Sequence, residues 1–293
     1  MNTKLDKDTK LSIVIPTLNA EPYIFQLIIS LNNQTLEPNE ILVIDSSSDD
    51  NTVEICKQFK NVKIHIIKRD AFNHGGTRHL ATKLTKGDFI LFLTQDALPT
   101  SSEYIKNLIT PLIKNKKVAM SSGRQIAKPG ARRYIQLIQE YNYPKVSKIT
   151  SFKDIRNSGI KAFFVSDCCS AYRRSAYNEC GGFRRLLSTN EDMLIASDFL
   201  KKGWLIAYEP TACVFHSHNL SLKQQYLRNK LVGEFIRTHQ SELFNQNEIS
   251  EGKNLVKNVS LQLIKELRPI EFIRFGFDCS ARLLGNRNGK RIR

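Results

Sequence analysis

With 293 residues, 41% of them hydrophobic and 25% charged, the chain can bury the core of one large domain, with or without an appendage, and extended disorder is excluded. A formal net charge of +16 points to an anionic partner: a nucleotide, a nucleic acid or an acidic membrane surface. No run approaches the ~20 apolar residues that span a bilayer, Met1 to Lys10 is polar rather than leader-like, and six cysteines without C-x-x-C or zinc-ribbon spacing are expected to be reduced thiols of a cytoplasmic protein.

Leu11 to Ile15 is a continuous apolar run suited to a strand buried on both faces, and Ile24, Leu27, Ile28 and Leu31 then recur at helical spacing. Glu40 to Ile44 reads as a second strand, Ser46 to Asp50 as a cluster of capping side chains, and Val53, Ile55, Cys56 and Phe59 as a short helix. Val62 to Ile67 is the third strand. Asn73-His74-Gly75-Gly76-Thr77-Arg78 opens a helix through Leu80, Ala81 and Leu84, and Asp88 to Leu93 is a fourth strand running into Thr94-Gln95-Asp96. Strands alternating with helices predict an α/β fold with a mostly parallel sheet and right-handed crossovers. Asp96, at the carboxyl end of a buried strand, stands where open α/β sheets bind ligands, and nucleotide phosphates there call for a divalent cation.

Beyond Val118 the pattern loosens. Val118 to Ser122 reads as a strand, Tyr134 to Tyr141 as a helix, and Lys161 to Arg173 as an extended segment that reverses at Arg174 to Asn178. Glu191 to Lys202 predicts a helix capped by Asn190 and stopped by Gly203, and Trp204 to Tyr208 with Ala212 to Phe215 a strand pair leading into His216-Ser217-His218. Ser221 to Arg293 is expected to be helical. From Lys253 onward it mixes ten basic and three acidic residues with Leu261, Ile264, Leu267, Ile270 and other apolar side chains. That composition suits a helix lying on a membrane surface. Helices packed on the rest of the chain, or on a second subunit, would show it too.

Ser12-Ile13-Val14-Ile15-Pro16-Thr17-Leu18-Asn19, Val43-Ile44-Asp45-Ser46-Ser47-Ser48-Asp49, Gln95-Asp96, Gly181-Gly182-Phe183 and Glu191-Asp192 resemble, in order and spacing, an inverting family 2 glycosyltransferase of GT-A fold over Leu11 to His218. Phe72 to Arg78 and His216 to Gln225 are similar to the bacterial branch that uses dTDP-L-rhamnose. The resemblance implies a Rossmann-like, mostly parallel sheet. Its domains would be a polar tail (1–10), a transferase domain (11–220, donor half 11–97 and acceptor half 98–220) and a basic helical extension (221–293). It further implies a lipid-linked glycan acceptor, work in cell-surface polysaccharide assembly, and a peripheral place on the inner face of the cell membrane. Self-association through the carboxyl-terminal helices fits as well; nucleic acid does not.

The same resemblance implies roles. Pro16, Thr17, Asn19 and Gln95 would bind the donor nucleotide and Asp45 would accept the N3 proton of its pyrimidine. A plain strand-to-helix turn, or a helix cap for Asp45, would use the same residues. Arg78 would neutralise the diphosphate at a helix start, where the dipole helps, and His74 would reach a sugar or only shape the turn. Where the family reads Asp-x-Asp this chain has Thr94-Gln95-Asp96, so Asp96 must carry Mn2+ or Mg2+ with diphosphate and water, joined by His216 or His218. Asp192 would be the general base with Glu191 beside it, although acids in a first helical turn also merely oppose the macrodipole, and Asp167 would touch acceptor or donor sugar. Among rivals, a UDP-hexose transferase keeps the same motifs. A sugar nucleotidyltransferase would need a glycine-rich basic loop after strand one, a dinucleotide oxidoreductase needs Gly-x-Gly-x-x-Gly there, and a nucleic-acid binder lacks its signatures.

Overall fold

A computed structural model describes residues 9–184, 187, 189–244 and 249–291. In chain order the elements are β1 (Leu11–Thr17), α1 (Glu21–Asn32), β2 (Glu40–Asp45), α2 (Thr52–Lys57), β3 (Val62–Ile66), α3 (His74–Leu84), β4 (Phe89–Leu93), β5 (Leu98–Pro99), α4 (Tyr104–Lys114) and β6 (Val118–Ile126). There follow α5 (Arg133–Asn142), β7 (Lys148–Thr150), α6 (Ile155–Ser158), β8 (Cys169–Arg173), α7 (Arg174–Glu179), α8 (Glu191–Lys201), β9 (Leu205–Phe215), α9 (Leu222–His239), α10 (Ile249–Lys265) and α11 (Pro269–Arg291). The described residues of 1–125, 145–154 and 162–216 form one compact unit, and those of 126–144, 155–161 and 217–293 a second.

The first unit is built on a mixed sheet of order β3-β2-β1-β4-β8-β6-β9-β5, with β7 also beside β9. β3, β2, β1 and β4 run parallel, with Ile13 opposite Ile41 and Leu91. β8 turns the other way between β4 and β6. The apolar runs explain the middle of the sheet: every residue of β4 is buried, and β1 is buried but for Pro16. Ile24, Leu27, Ile28 and Leu31 of α1 and Tyr104, Ile105, Leu108, Ile109 and Leu112 of α4 complete one core with these strands. Because the chain leaves β1 towards β2 on one side and later places β4 on the other, the carboxyl ends of β1 and β4 form a topological switch point. Thr17, Asp45 and the Thr94–Asp96 loop gather at that end of the sheet.

Three local expectations are corrected. The strand pair after Trp204 is a single strand, β9, which passes through Pro210 and Thr211 held by β6 and, in its two halves, by β7 and β5. The segment from Lys161 is not extended throughout: Gly159–Phe163 is a 3-10 turn and only Cys169–Arg173 is strand, while the reversal after it is the helix α7. Asn190 precedes α8 in the left-handed region, with φ 57°, and its side chain makes no capping hydrogen bond.

In the second unit, Tyr134, Leu137 and Ile138 of α5 pack with Val259 and Leu263 of α10 and Phe275 of α11. Ser221 and Gln224 form a capping box at the start of α9. α9 and α11 meet backbone to backbone: a Cβ on Gly289 would collide with the Lys230 carbonyl and one on Gly285 with that of Tyr226. Glycine is needed there for approach.

Candidate active site

At the switch point the loops after β1 and β2 are held by one buried carboxylate. Asp45, 0% exposed, accepts from Thr17 Oγ1 at 2.9 Å, Ser48 Oγ at 2.6 Å and the Ser48 amide at 2.8 Å. Ser48 Oγ in turn accepts from the Asn19 amide at 2.8 Å, and Asn19 Oδ1 accepts from the Asp49 amide at 2.9 Å. Asn19 and Ser47 take positive φ, 50° and 57°, which this network holds in place. Gln95 clasps the exposed backbone of Leu18 from both sides, accepting from its amide at 2.8 Å and donating to its carbonyl at 3.1 Å. Asp45 faces inward and organises the loop after β1, beside which the base contact is expected. Pro16 lies within β1, opposite Ile44, while Asn19 is exposed at the mouth.

A second cluster lies between α3, β8 and α8. Arg78 is 3% exposed and sits in the second turn of α3, not at its start. Asn73 is the cap, its Oδ1 accepting from the Gly76 amide at 2.6 Å. The Arg78 guanidinium lies 3.0 Å from Glu191 Oε1 and 3.7 Å from Asp167 Oδ2, with His74 Nδ1 at 3.1 Å. Ser170 Oγ and the Tyr172 hydroxyl both donate to Asp167 Oδ1 at 2.6 Å. Arg78 is thus paired with the protein's own carboxylates, and Asp167, 2% exposed, is held by Arg78, Ser170 and Tyr172. Beneath them Phe183 packs against Phe92, Tyr172 and Tyr177 at centroid distances of 5.5, 5.6 and 5.3 Å, which is what Gly181-Gly182-Phe183 achieves. Gly182, with φ 72°, sits against the Tyr177 ring where a side chain would not fit.

Asp192 completes this cluster and is only half-buried. Its Oδ2 accepts from the Asp167 amide at 3.3 Å and its Oδ1 from the Met193 amide at 2.9 Å. Burial first, then the charges of Glu191 and Asp167, hold its carboxyl well above the ordinary range, against a smaller downward pull from Arg78. Burial likewise lifts Asp167, and despite Arg78 it stands at about 6. Three carboxyls lie around one guanidinium, and burial together with the neighbouring negative charges favours the protonated form of Asp192. A carboxylate of raised basicity in a half-open position is suited to take a proton.

The third group follows β4 and β9. His216 Nε2 lies 3.5 Å from Asp96 Oδ1, and its Nδ1 is 2.8 Å from Gln125 Oε1, where the ring N–H donates. That bond fixes the tautomer and leaves the Nε2 lone pair facing a carboxylate oxygen. Two acceptors turned towards each other fit a cation between them. Asp96 and His216 thus offer a carboxylate oxygen and an imidazole nitrogen, a donor set that favours Mn2+ over Mg2+. Gln125, 4% exposed, was not marked by the sequence, where it is one of two long polar side chains, with Arg124, at the end of a strand of apolar and small residues. Ser170 and Tyr172 were missed likewise.

Residues 12–181 match the family described as "Glycosyl transferase family 2". The chain is 34% identical to the O-antigen chain rhamnosyltransferase RfbN of Salmonella typhimurium, over 96% of this chain and 90% of that protein. It is 33% identical to the O-antigen chain rhamnosyltransferase WbaN of Salmonella anatum, over 95% and 89%. Among solved structures, the mannosyltransferase PcManGT of Pyrobaculum calidifontis, in complex with GDP-Man and Mn2+, superposes with a TM-score of 0.64 at 13% identity, covering 98% of this chain and 89% of that one. The fold is of the GT-A kind.

Proposed function

The chain belongs to glycosyltransferase family 2, and from that premise we propose that it transfers L-rhamnose from dTDP-L-rhamnose, with inversion, to a hydroxyl of a lipid-linked glycan in cell-surface polysaccharide assembly. The observation that carries the mechanism is the half-buried Asp192 of raised basicity beside the buried Arg78–Glu191–Asp167 group. The rhamnosyl donor is supported by two relatives of that name that match over most of their length.

In this reading Asp192 takes the proton of the acceptor hydroxyl as its oxygen attacks the anomeric carbon. The bond from that carbon to the diphosphate oxygen breaks, and its electron pair leaves with the nucleoside diphosphate. Glu191 and Asp167 raise the basicity of Asp192, and Arg78 keeps the buried charges in balance. Thr17, Asn19 and Gln95 present the loop edges that receive the nucleotide. Asp96 and His216 are the residues that would hold Mn2+ or Mg2+. When bound, the ion would neutralise charge developing on the departing diphosphate. In this reading the reaction takes place at the cytoplasmic face of the membrane; no described helix is long and apolar enough to cross one.

Calorimetric titration of the protein with dTDP-L-rhamnose, UDP-glucose and UDP-galactose, with Mn2+, with Mg2+ and with chelator, tests this reading. Selective, metal-dependent binding of the thymidine donor is expected. A uridine donor that binds more tightly would overturn the sugar assignment, and equal binding in chelator would overturn the metal site.

A further inference from the structure

α10 and α11 are joined by Glu266-Leu267-Arg268, and the turn has the form of a Schellman motif, with the Arg268 amide donating to the Leu263 carbonyl at 3.0 Å. Leu267 occupies the left-handed position, φ 52°, that glycine fills most cheaply. There its side chain is 85% exposed. Around it Leu261, Ile264, Ile270 and Ile273 recur at three-residue spacing through helix, turn and helix, at 48%, 57%, 65% and 58% exposure. Phe277 follows at 60%. The inward face of the same hairpin is already supplied by Val259, Leu263 and Phe275, so these outward residues are surplus to the core. Scattered exposed aliphatic residues are ordinary, but a continuous run at a helical turn marks a contact surface.

Charge selects the partner. Each acid of the segment is answered within the protein: Glu266 by Arg133, Glu271 by Arg274 and Asp278 by Arg282. Lys253, Lys257, Lys265 and Arg287 form no ion pair among the described residues, and Arg268 stands in the turn itself. A second copy seated symmetrically on this surface would bring cations against cations. A surface of lipid phosphates over hydrocarbon answers both the charge and the apolar run.

We propose that the α10–α11 turn docks on an anionic lipid bilayer, with Leu267, Ile264, Ile270 and Ile273 entering the headgroup boundary and the neighbouring lysines and arginines lying against phosphates. This deepens the reading that the acceptor is lipid-linked, and rests on it for its biological purpose, not for its physics.

Vesicle flotation provides the test, using phosphatidylcholine alone and phosphatidylcholine mixed with phosphatidylglycerol. The full chain is expected to float with the anionic vesicles at least about tenfold better than with the neutral ones, and to be released by salt. The double variant Leu267→Asp, Ile270→Asp, both exposed and therefore not needed for folding, is expected to stay in the soluble fraction with an unchanged melting curve. Failure of the wild type to float with anionic vesicles overturns the proposal. So does a wild-type dimer in solution that the same double variant abolishes, because a second copy would then own the surface. Donor binding measured on the same preparations separates the two readings: if it persists while flotation fails, only the docking surface falls.

Discussion

Replacing Arg78 by Met removes the guanidinium that balances a buried group of acids. The guanidinium is 3.0 Å from Glu191 and 3.7 Å from Asp167, and all three side chains are nearly inaccessible. Breaking a buried pair by deleting one partner costs about 3–5 kcal/mol, a large share of a stability on the order of 5–15 kcal/mol. The sign of its pH dependence follows from the carboxyls. Arg78 pulls both Asp167 and Asp192 downward, so its loss raises them further above the unfolded value. An acid raised in the folded state is penalised when ionised, at about 1.36 kcal/mol for each unit of rise. The deficit of Arg78→Met is therefore full at high pH and shrinks as pH falls and protons enter the cluster. Urea unfolding of wild type and variant, followed at about pH 8 and about pH 5, should show at least half of the deficit recovered at the lower pH. A deficit below about 1 kcal/mol, or an equal deficit at both values, would refute the account of a charge-balanced cluster.

Asp192→Asn should lower kcat by roughly 10²–10⁴-fold while sparing donor binding by calorimetry. In the wild type kcat/KM should rise with pH along a limb set by the coupled carboxyls, and this limb should vanish in the variant. Full activity would remove Asp192 from its role. Asp96→Asn should leave the melting curve in place yet abolish Mn2+ binding seen by electron paramagnetic resonance. Gln125→Leu should weaken Mn2+ binding by roughly 10–100-fold, since His216 loses the bond that fixes its tautomer. A lowered melting point with unchanged Mn2+ affinity would make Gln125 merely structural. Gly289→Val should cost about 1–3 kcal/mol in urea unfolding by forcing α11 off the Lys230 carbonyl, and an unchanged midpoint would refute that close approach.

Much of this protein is legible one segment at a time. Leu11–Thr17 and Phe89–Leu93 announce buried strands because their apolar residues are contiguous, and a strand flanked by neighbours on both sides has no polar face to show. Asp96 could be placed at a strand end for the same reason. β9 could not be read as one strand, because Pro210 and Thr211 break its apolar run and it is pairing with β6, β7 and β5 that keeps it extended. Arg78 and Asp45 could be named as site residues by resemblance, but their burial could not be read, since a helical cation and a strand-end acid are ordinarily solvated.

The sequence by itself determined the alternation of strands and helices, the parallel half of the sheet and the identity of the acids and histidines, because periodicity and strand ends are set by near neighbours. Tertiary structure alone decided which of those groups meet: Gln125 with His216, 91 residues apart, and Arg78 with Glu191 and Asp167 on separate elements. Burial makes each such meeting count. A charge taken out of water must find its partner inside the protein, and where that partner lies is set by the order of strands in the sheet, not by spacing along the chain.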